Sequence, residues 1–332
     1  MSDIRKLIDK VKADCLQGIV QSRETMVQLL DIPVDTPEYD YLCHAAFEAA
    51  KIISGKEAYL WGAIGVDYEV CPMNCKFCSL GEAWGIVKDG KSFSQEEIIA
   101  QIREYVAQGM RFIVLRTTEF YSIDTLCEFL KNIRLQVPGE YELVLNIGEF
   151  DLDTAEKIHQ SGADGIYHAL RLREGIDTIF DPKDRIHTLA SVRDSKLKLI
   201  HLVEPVGPEH TNEEIADVLL NSIDYGVVVS GAMARTPVKG TPLGELTALD
   251  EKRLAQIIAV TRLTSGVRDI CAHPPSKAVI ESGANVAVIE RGAIPRDTNL
   301  ADQVWKAFDA ETAKSYFTES GYTVVQKRES VK

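Results

Sequence analysis

The sequence predicts an α/β fold, a (βα)8 TIM-type barrel behind an N-terminal helical extension. Three observations predict it. From residue 57 onward, short β-rich runs alternate with helical patterns about eight times, as parallel strands joined by right-handed crossovers require. The 332 residues, 45% of them apolar, suffice to bury one large core. No low-complexity segment or interdomain linker interrupts the alternation.

Residues 1–54 read as the extension. Ile4, Leu7, Ile8 and Val11 recur at helical spacing, a second helix runs from about Ser22 to Leu30 and stops before Pro33, and a third spans Tyr39 to Ile53. Cys15 and Cys43 fall in these helices without partners at metal spacing and read as small buried hydrophobes. Residues 55–332 read as the barrel with a C-terminal helix. Its predicted strands are Ala58–Gly65, Phe112–Arg116, Glu142–Ile147, Gly165–Leu170, Leu197–Val203, Gly226–Ser230, Val267–Ile270 and Ala284–Ile289. The predicted helices are Ser94–Gln108, Ile123–Gln136, Thr154–Ser161, Pro182–Asp194, Asn212–Asp224, Asp250–Thr264, Ser276–Ser282 and Leu300–Glu319. Ser94 with Glu97, and Thr211 with Glu214, have capping-box spacing. Gly162-Ala163-Asp164 and Gly283-Ala284-Asn285 each fit a helix stop leading into a strand.

Acidic residues exceed basic ones by 50 to 37, a net charge of −13, and no local basic patch offsets it, so nucleic acid and anionic membrane surfaces are excluded as expected partners. The N-terminus begins an amphipathic helix instead of an apolar signal segment, and no run approaches the ~18 apolar residues of a membrane span, which gives the expectation of a soluble cytoplasmic protein. Seven cysteines, an odd number with three clustered, fit a reducing compartment.

The chemistry centres on Cys71-Pro-Met-Asn-Cys75-Lys-Phe77-Cys78, a loop after the first predicted strand. Three thiolates select iron–sulfur clusters or zinc over hard cations. Structural zinc wants a closed tetrahedron, and Ser79-Leu-Gly-Glu-Ala-Trp84 supplies no fourth Cys or His. A [4Fe-4S] cluster on three cysteines leaves one iron open. A zinc loop completed by a distant ligand, in a zinc-stabilised binding protein, is the alternative. In a barrel the loop lies at the C-terminal mouth, where the βα loops converge and chemistry sits.

The C-x3-C-x2-C spacing with Phe77 before the last cysteine resembles the signature of the radical S-adenosylmethionine (SAM) enzymes. The resemblance implies a [4Fe-4S] cluster on Cys71, Cys75 and Cys78 whose open iron chelates SAM. It also implies an electron donor such as ferredoxin or flavodoxin, and reductive cleavage of SAM to methionine and a 5′-deoxyadenosyl radical that abstracts hydrogen from a substrate. By the same resemblance, Phe77 lies against the cofactors. Thr118 and Glu119, in Arg116-Thr-Thr-Glu119, stand where such enzymes often carry a Gly-Gly-Glu-like segment facing the SAM ammonium. Arg171 and Arg173 jointly hold the SAM carboxylate, Glu174 meets a ribose hydroxyl or forms a salt bridge, and Gly207 of Glu204-Pro-Val-Gly207-Pro-Glu209 lies near adenine. Lys239-Gly-Thr-Pro-Leu243 resembles a biotin synthase segment, with Gly240 and Pro242 as turn residues.

His168, His201, Met233, Arg235 and His273 fall near strand ends and are expected to face a small polar or anionic substrate, and Glu290 and Arg291 are expected to pair. Over residues 20–320 the layout is similar to the biotin synthase branch, which includes methylornithine synthase and the [FeFe]-hydrogenase maturase HydE. Val203–His210, Gly283–Asn285 and Arg291–Asp297 look most like the [Fe]-hydrogenase-associated maturases HmdB or HcgA, which implies a product feeding the guanylylpyridinol cofactor. The second cysteine set of biotin synthase is missing: Cys127 belongs to a helix and Cys271 stands alone, so sulfur insertion is not expected.

Overall fold

The computed structural model describes residues 3–292 and 308–326. Eight parallel strands form a closed ring: β1 (Glu57–Gly65), β2 (Phe112–Arg116), β3 (Glu142–Asn146), β4 (Gly165–Tyr167), β5 (Lys198–Ile200, resuming as Val203–Val206), β6 (Val229–Ala234), β7 (Asp269–His273) and β8 (Val286–Gly292). Pairing of β8 with β1, from Tyr59↔Val286 to Gly65↔Gly292, closes it. The helices are α1 (Asp3–Cys15), α2 (Arg23–Leu30), α3 (Pro37–Ser54), α4 (Gln95–Ala107), α5 (Ile123–Gln136), α6 (Leu152–Gln160), α7 (Pro182–Asp194), α8 (Asn212–Asp224), α9 (Glu251–Thr264), α10 (Lys277–Ile280) and α11 (Ala310–Glu319).

Local chemistry explains most boundaries. Ser94 and Thr211 form full capping boxes with Glu97 and Glu214, satisfying orphan N–H groups at the starts of α4 and α8. Thr36 caps α3 ahead of Pro37, and Gly55 ends it in the left-handed region. Strand β2 and helices α5, α7 and α8 match the expected spans. Strand β6 does not: Gly226, at φ +75°, belongs to the turn after α8, and the strand runs on through Gly231-Ala-Met-Ala234, small residues of low β propensity. Strand β5 breaks at His201-Leu202 where an unbroken run was expected. Of the helix expected over Leu300–Glu319, residues 300–307 lie outside the described residues, and Ala310–Glu319 forms α11.

Inward-facing residues of alternate strand positions, among them Tyr59, Trp61, Phe112, Val114, Tyr167, Leu202, Cys271 and Val288, fill the barrel. Below them the strand Thr323–Val324 pairs with the start of β1, and Val325 packs against the interior. Helix α9 is buried from Leu254 through Thr264, because β6 and β7 cover one side and the N-terminal helices the other. Gln256 Nε2 fastens the extension there, donating to Ile32 O at 2.6 Å and Leu29 O at 3.2 Å. Among the described residues no helix is long and apolar enough to cross a membrane.

Candidate functional site

A cavity of ≈ 210 Å³ opens at the C-terminal ends of the strands, and Cys71, Phe77, Cys75 and Cys78 all line it. The chain leaves β1 through the two-residue ribbon Asp67–Tyr68, paired with Lys91–Ser92, and enters the cysteine loop. The loop closes on itself: Cys71 N donates to Leu80 O at 2.8 Å and Glu82 N to Cys71 O at 3.0 Å. Asn74, held at φ +45°, accepts from Ala83 N at 2.8 Å, and the Trp84 indole donates to Cys75 O at 3.2 Å. Two further βα loops brace it. Lys76 binds Asp177 through its backbone N at 2.9 Å and its Nζ at 3.1 Å, and Leu243 N donates to Lys76 O at 3.0 Å.

Burial pushes the thiols up, Cys75 to about 12 and Cys78 to about 11, against the pull of the nearby Arg171 charge. Thiols in such a place ionise only when a cation replaces their protons. Among the described residues no three His, Cys, Asp or Glu side chains converge on a point that one ion could occupy. Three thiols on one cavity supply the soft donors that an iron–sulfur cluster or a zinc ion takes.

Thr118 and Glu119 also line the cavity. Thr117 N donates to Asn146 O at 3.0 Å, and the Thr118 N–H reaches Asp67 Oδ1 at 2.8 Å. Gly148 permits the close approach on the other side, since a Cβ there would lie 2.2 Å from Glu119 O. Burial raises the Glu119 pKa, with Arg185 and Arg171 opposing.

The two arginines of the fourth strand end are separated by the structure. Arg171 lines the cavity, with Nη1 3.5 Å from Glu174 and Nε 3.9 Å from Glu204. Nη1 is buried without a hydrogen bond, a donor that an anionic ligand group would satisfy. Burial works against its charge, but the acidic groups of Glu174, Cys75, Glu204 and Glu119 hold its pKa above the ordinary arginine value. Arg173 leaves the site. At φ +53° it turns outward, donating to Glu214 at 2.8 Å and to Glu209 O at 2.6 Å. Glu174 also lies outside the cavity lining, in a buried network with Arg171, Thr178 and Arg185, so of its two expected roles the salt bridge is the one its position supports.

The other expected residues divide as follows. His168 does not line the cavity: it is buried 3.3 Å from Glu149, whose carboxylate also takes Arg185 at 2.7 Å. Despite burial, these contacts hold Glu149 down at about 2. His201 is a brace for the break in β5: its Nε2 accepts from Leu170 N at 3.1 Å and its Nδ1 donates to Leu202 O at 3.1 Å, with burial keeping it neutral, its pKa near about 3. Gly207 does not line the cavity, and its N–H goes to His210 at 3.0 Å. Arg235 lines the cavity but its donors are taken by Glu209 at 2.8 and 3.1 Å, Leu243 O at 2.9 Å and Thr247 O at 3.1 Å, so it clamps the loop that braces Lys76. Met233 and His273 lie on the cavity wall.

Glu290 pairs with Arg116 at 3.0 Å and His273 at 3.4 Å, and Arg291 pairs with Glu104, so the expected Glu290–Arg291 pair does not form. Arg116, Asn146, Glu204 and Glu290 are lining residues that the sequence reading did not place at the cavity. A period-2 signal was available for Arg116, which follows the inward Phe112 and Val114 on the same strand face. Trp61 and Tyr167 form the apolar floor, rings 5.5 Å apart and edge-on, with the Tyr167 hydroxyl donating to Glu204.

The Radical SAM superfamily model matches residues 66–238. Among curated proteins, the chain is 23% identical over 237 residues to the biotin synthase of Acaryochloris marina, covering 69% of this chain and 68% of that one. It is 23% identical over 304 residues to the biotin synthase of Clostridium botulinum, covering 85% and 91%. Among solved structures it superposes on methylornithine synthase (PylB) with a TM-score of 0.78 at 16% identity, covering 95% of this chain and 97% of that one. HydG, a maturase of the [FeFe]-hydrogenase, gives 0.80 at 13% identity, covering 97% and 77%. At such identities the structural likeness is one of fold.

Proposed function

The chain belongs to the radical SAM superfamily and is an enzyme working with a [4Fe-4S] cluster and SAM, and from that premise we propose that it abstracts hydrogen from a small substrate in the barrel without inserting sulfur. The observation that carries this reading is one cavity lined by Cys71, Cys75 and Cys78 together with Arg171, Thr118 and Glu119 and with Met233, His273 and Trp61. When bound, cluster and SAM supply reductive cleavage and a carbon radical, with the electron coming from a carrier such as ferredoxin or flavodoxin.

In this reading the three cysteines hold the iron, Arg171 takes the SAM carboxylate, and Thr118 with Glu119 accepts its ammonium. Phe77 and Phe180 wall the cofactor space. The barrel interior keeps water from the reacting groups and presents one C–H bond at short range. Its walls match a small molecule with an apolar body and a polar end: Trp61, Val114, Tyr167 and Leu202 line one part, and Arg116, His273 and Glu290 another. The absence of sulfur transfer is supported by the cysteine positions. Cys271 faces the barrel interior under full burial, and Cys127 sits on α5 outside the barrel.

The two arginines make separable predictions. Arg171→Ala is expected to weaken SAM binding by roughly ten- to a hundredfold while leaving iron content intact, since one charge-assisted contact is lost. Arg173→Ala is expected to leave SAM affinity unchanged and to lower only Tm. Calorimetric titration of the reconstituted protein checks both, and equal effects would return the two residues to a joint role.

The test of the reaction itself is product analysis. Reduced, cluster-loaded protein with SAM alone is expected to form 5′-deoxyadenosine slowly, and a true substrate to accelerate this and to pass its deuterium into 5′-deoxyadenosine. Transfer of a SAM methyl group, or a sulfur-bearing product, would overturn the proposal.

The narrower assignment, a step in making the guanylylpyridinol cofactor of [Fe]-hydrogenase, is supported by the stretches Val203–His210, Gly283–Asn285 and Arg291–Asp297, the last lying outside the described residues from 293 on. Within them Glu209 and Asn285 serve the scaffold, as partners of Arg235 and Arg262. Gene neighbourhood is therefore the sharper test: hydrogenase-cofactor genes support the assignment, while pyrrolysine or biotin genes replace it.

A further inference from the structure

We propose that Asp67 is a positioning residue that makes the Thr118 hydroxyl an acceptor reserved for the ammonium of SAM, a proposal that rests on the reading above of the Thr118–Glu119 segment. Asp67 is only 5% exposed and stands at the exit of β1, just ahead of the cysteine loop. Both of its oxygens serve one residue: Oδ1 accepts from the Thr118 N–H at 2.8 Å, and Oδ2 accepts from the Thr118 hydroxyl.

A hydroxyl carries one hydrogen and two lone pairs. With its hydrogen committed to a buried carboxylate, Thr118 Oγ1 only accepts, and donation to an anion polarises it into a better acceptor. The two bonds fix the backbone and the side chain of Thr118 together, so it does not rotate to present a donor. The rest of the segment is held as firmly, by Thr117 N on Asn146 O at 3.0 Å and by Glu119 against Gly148. Thr118 and Glu119 thereby offer the cavity two acceptors on consecutive residues, beside Cys71. That pair favours a cation with several N–H donors and disfavours a carboxylate or a neutral acceptor in the same place.

Burying a carboxylate for this purpose has a cost. Desolvation pushes the Asp67 pKa up, with the Thr118 bonds and the Arg116 charge pulling it back. The arrangement also ties the strand that leads into the cysteine loop to the segment that faces SAM, giving cluster and cofactor one frame.

The experiment uses reconstituted, cluster-loaded protein and two probes, SAM and its analogue lacking the α-amino group, titrated into wild type, Thr118→Val, Thr118→Ser, Asp67→Asn and Glu119→Gln. Thr118→Val and Asp67→Asn are each expected to raise the Kd for SAM about tenfold with iron content unchanged. Thr118→Ser is expected to retain wild-type affinity. The double variant D67N/T118V is expected to be no worse than either single one, because both act through one hydroxyl. For the analogue without the amine, all penalties are expected to vanish. Equal losses for both probes would reduce the pair to a structural role and overturn the proposal, and so would wild-type SAM affinity in Thr118→Val, a variant that retains the side-chain shape should Asp67→Asn fold poorly. If Glu119→Gln weakens SAM while Thr118→Val and Asp67→Asn do not, this inference alone fails. If Glu119→Gln also leaves SAM affinity unchanged, the reading of the whole segment fails with it.

Discussion

Cys75→Ala is expected to abolish cluster assembly and SAM cleavage while leaving the fold in place. Anaerobic reconstitution of the wild type should give about four irons and four sulfides per chain, and the variant only adventitious iron, because a cluster on three thiolates does not survive on two. The fold should persist because the loop is held by backbone and side-chain bonds that spare the thiol: Cys71 N to Leu80 O, Asn74 to Ala83, and Lys76 to Asp177. Burial pushes the Cys75 thiol up to about 12, so it is neutral in the metal-free chain, its removal takes away no buried charge, and Tm of that chain should change little. Cys271→Ala is the control. It is buried in the barrel interior away from the cavity lining, and its iron content and 5′-deoxyadenosine yield should match wild type at a small loss of stability. Stoichiometric zinc without iron in the wild type would overturn the assignment and favour a zinc-stabilised loop.

The barrel and the cluster loop were legible in the sequence because both are written locally. Alternation of short apolar runs with capped helices needs only neighbours in sequence, and three cysteines within eight residues carry their own spacing. Strand β6 was displaced because Gly231-Ala-Met-Ala234 gives no β-branched signal, and its pairing with β7 decides the strand instead. The site residues past the strand ends were harder. Arg171 and Arg173 lie two apart, beyond Tyr167, where strand parity no longer applies, and the positive φ of Arg173 turns it toward Glu214, 41 residues away. His201 and Arg235 likewise occupy strand-end positions, but partners distant in sequence, Leu170 for one and Glu209 for the other, absorb their polar atoms. Sequence places a residue near the mouth. Which way it turns, and what has already claimed its hydrogen bonds, is tertiary information.

Arg262→Met is expected to cost ~4 kcal/mol of stability, a fall in Tm on the order of 10 °C, without altering the iron content of the protein that remains folded. Arg262 lies on the buried side of α9 with no exposed surface, and nothing in the helical pattern of the sequence marks it. Its guanidinium donates from Nε to Gly283 O at 2.9 Å, from Nη1 to Val267 O at 3.1 Å and Arg268 O at 2.8 Å, and from Nη2 to Asn285 Oδ1 at 2.8 Å. One side chain thus ties the turn into β7 to the turn into β8. Asn285 extends the link, accepting from Ile270 N at 2.8 Å and donating to Asp269 at 3.2 Å. Methionine replaces much of the volume and removes every donor, leaving the carbonyls of Gly283, Val267 and Arg268 without this partner, at up to about 1–3 kcal/mol each before relaxation, and leaving Asn285 Oδ1 with only the Ile270 N–H. Lysine should recover only part of the loss, since a single ammonium does not span a planar fork of acceptors. Because Cys15 packs beneath and donates to Arg262 O at 3.2 Å, the N-terminal helices should loosen together with the β7–β8 edge, visible as faster amide exchange in both. An unchanged Tm in Arg262→Met would mean that water satisfies these groups and that the link between the two turns contributes little to stability.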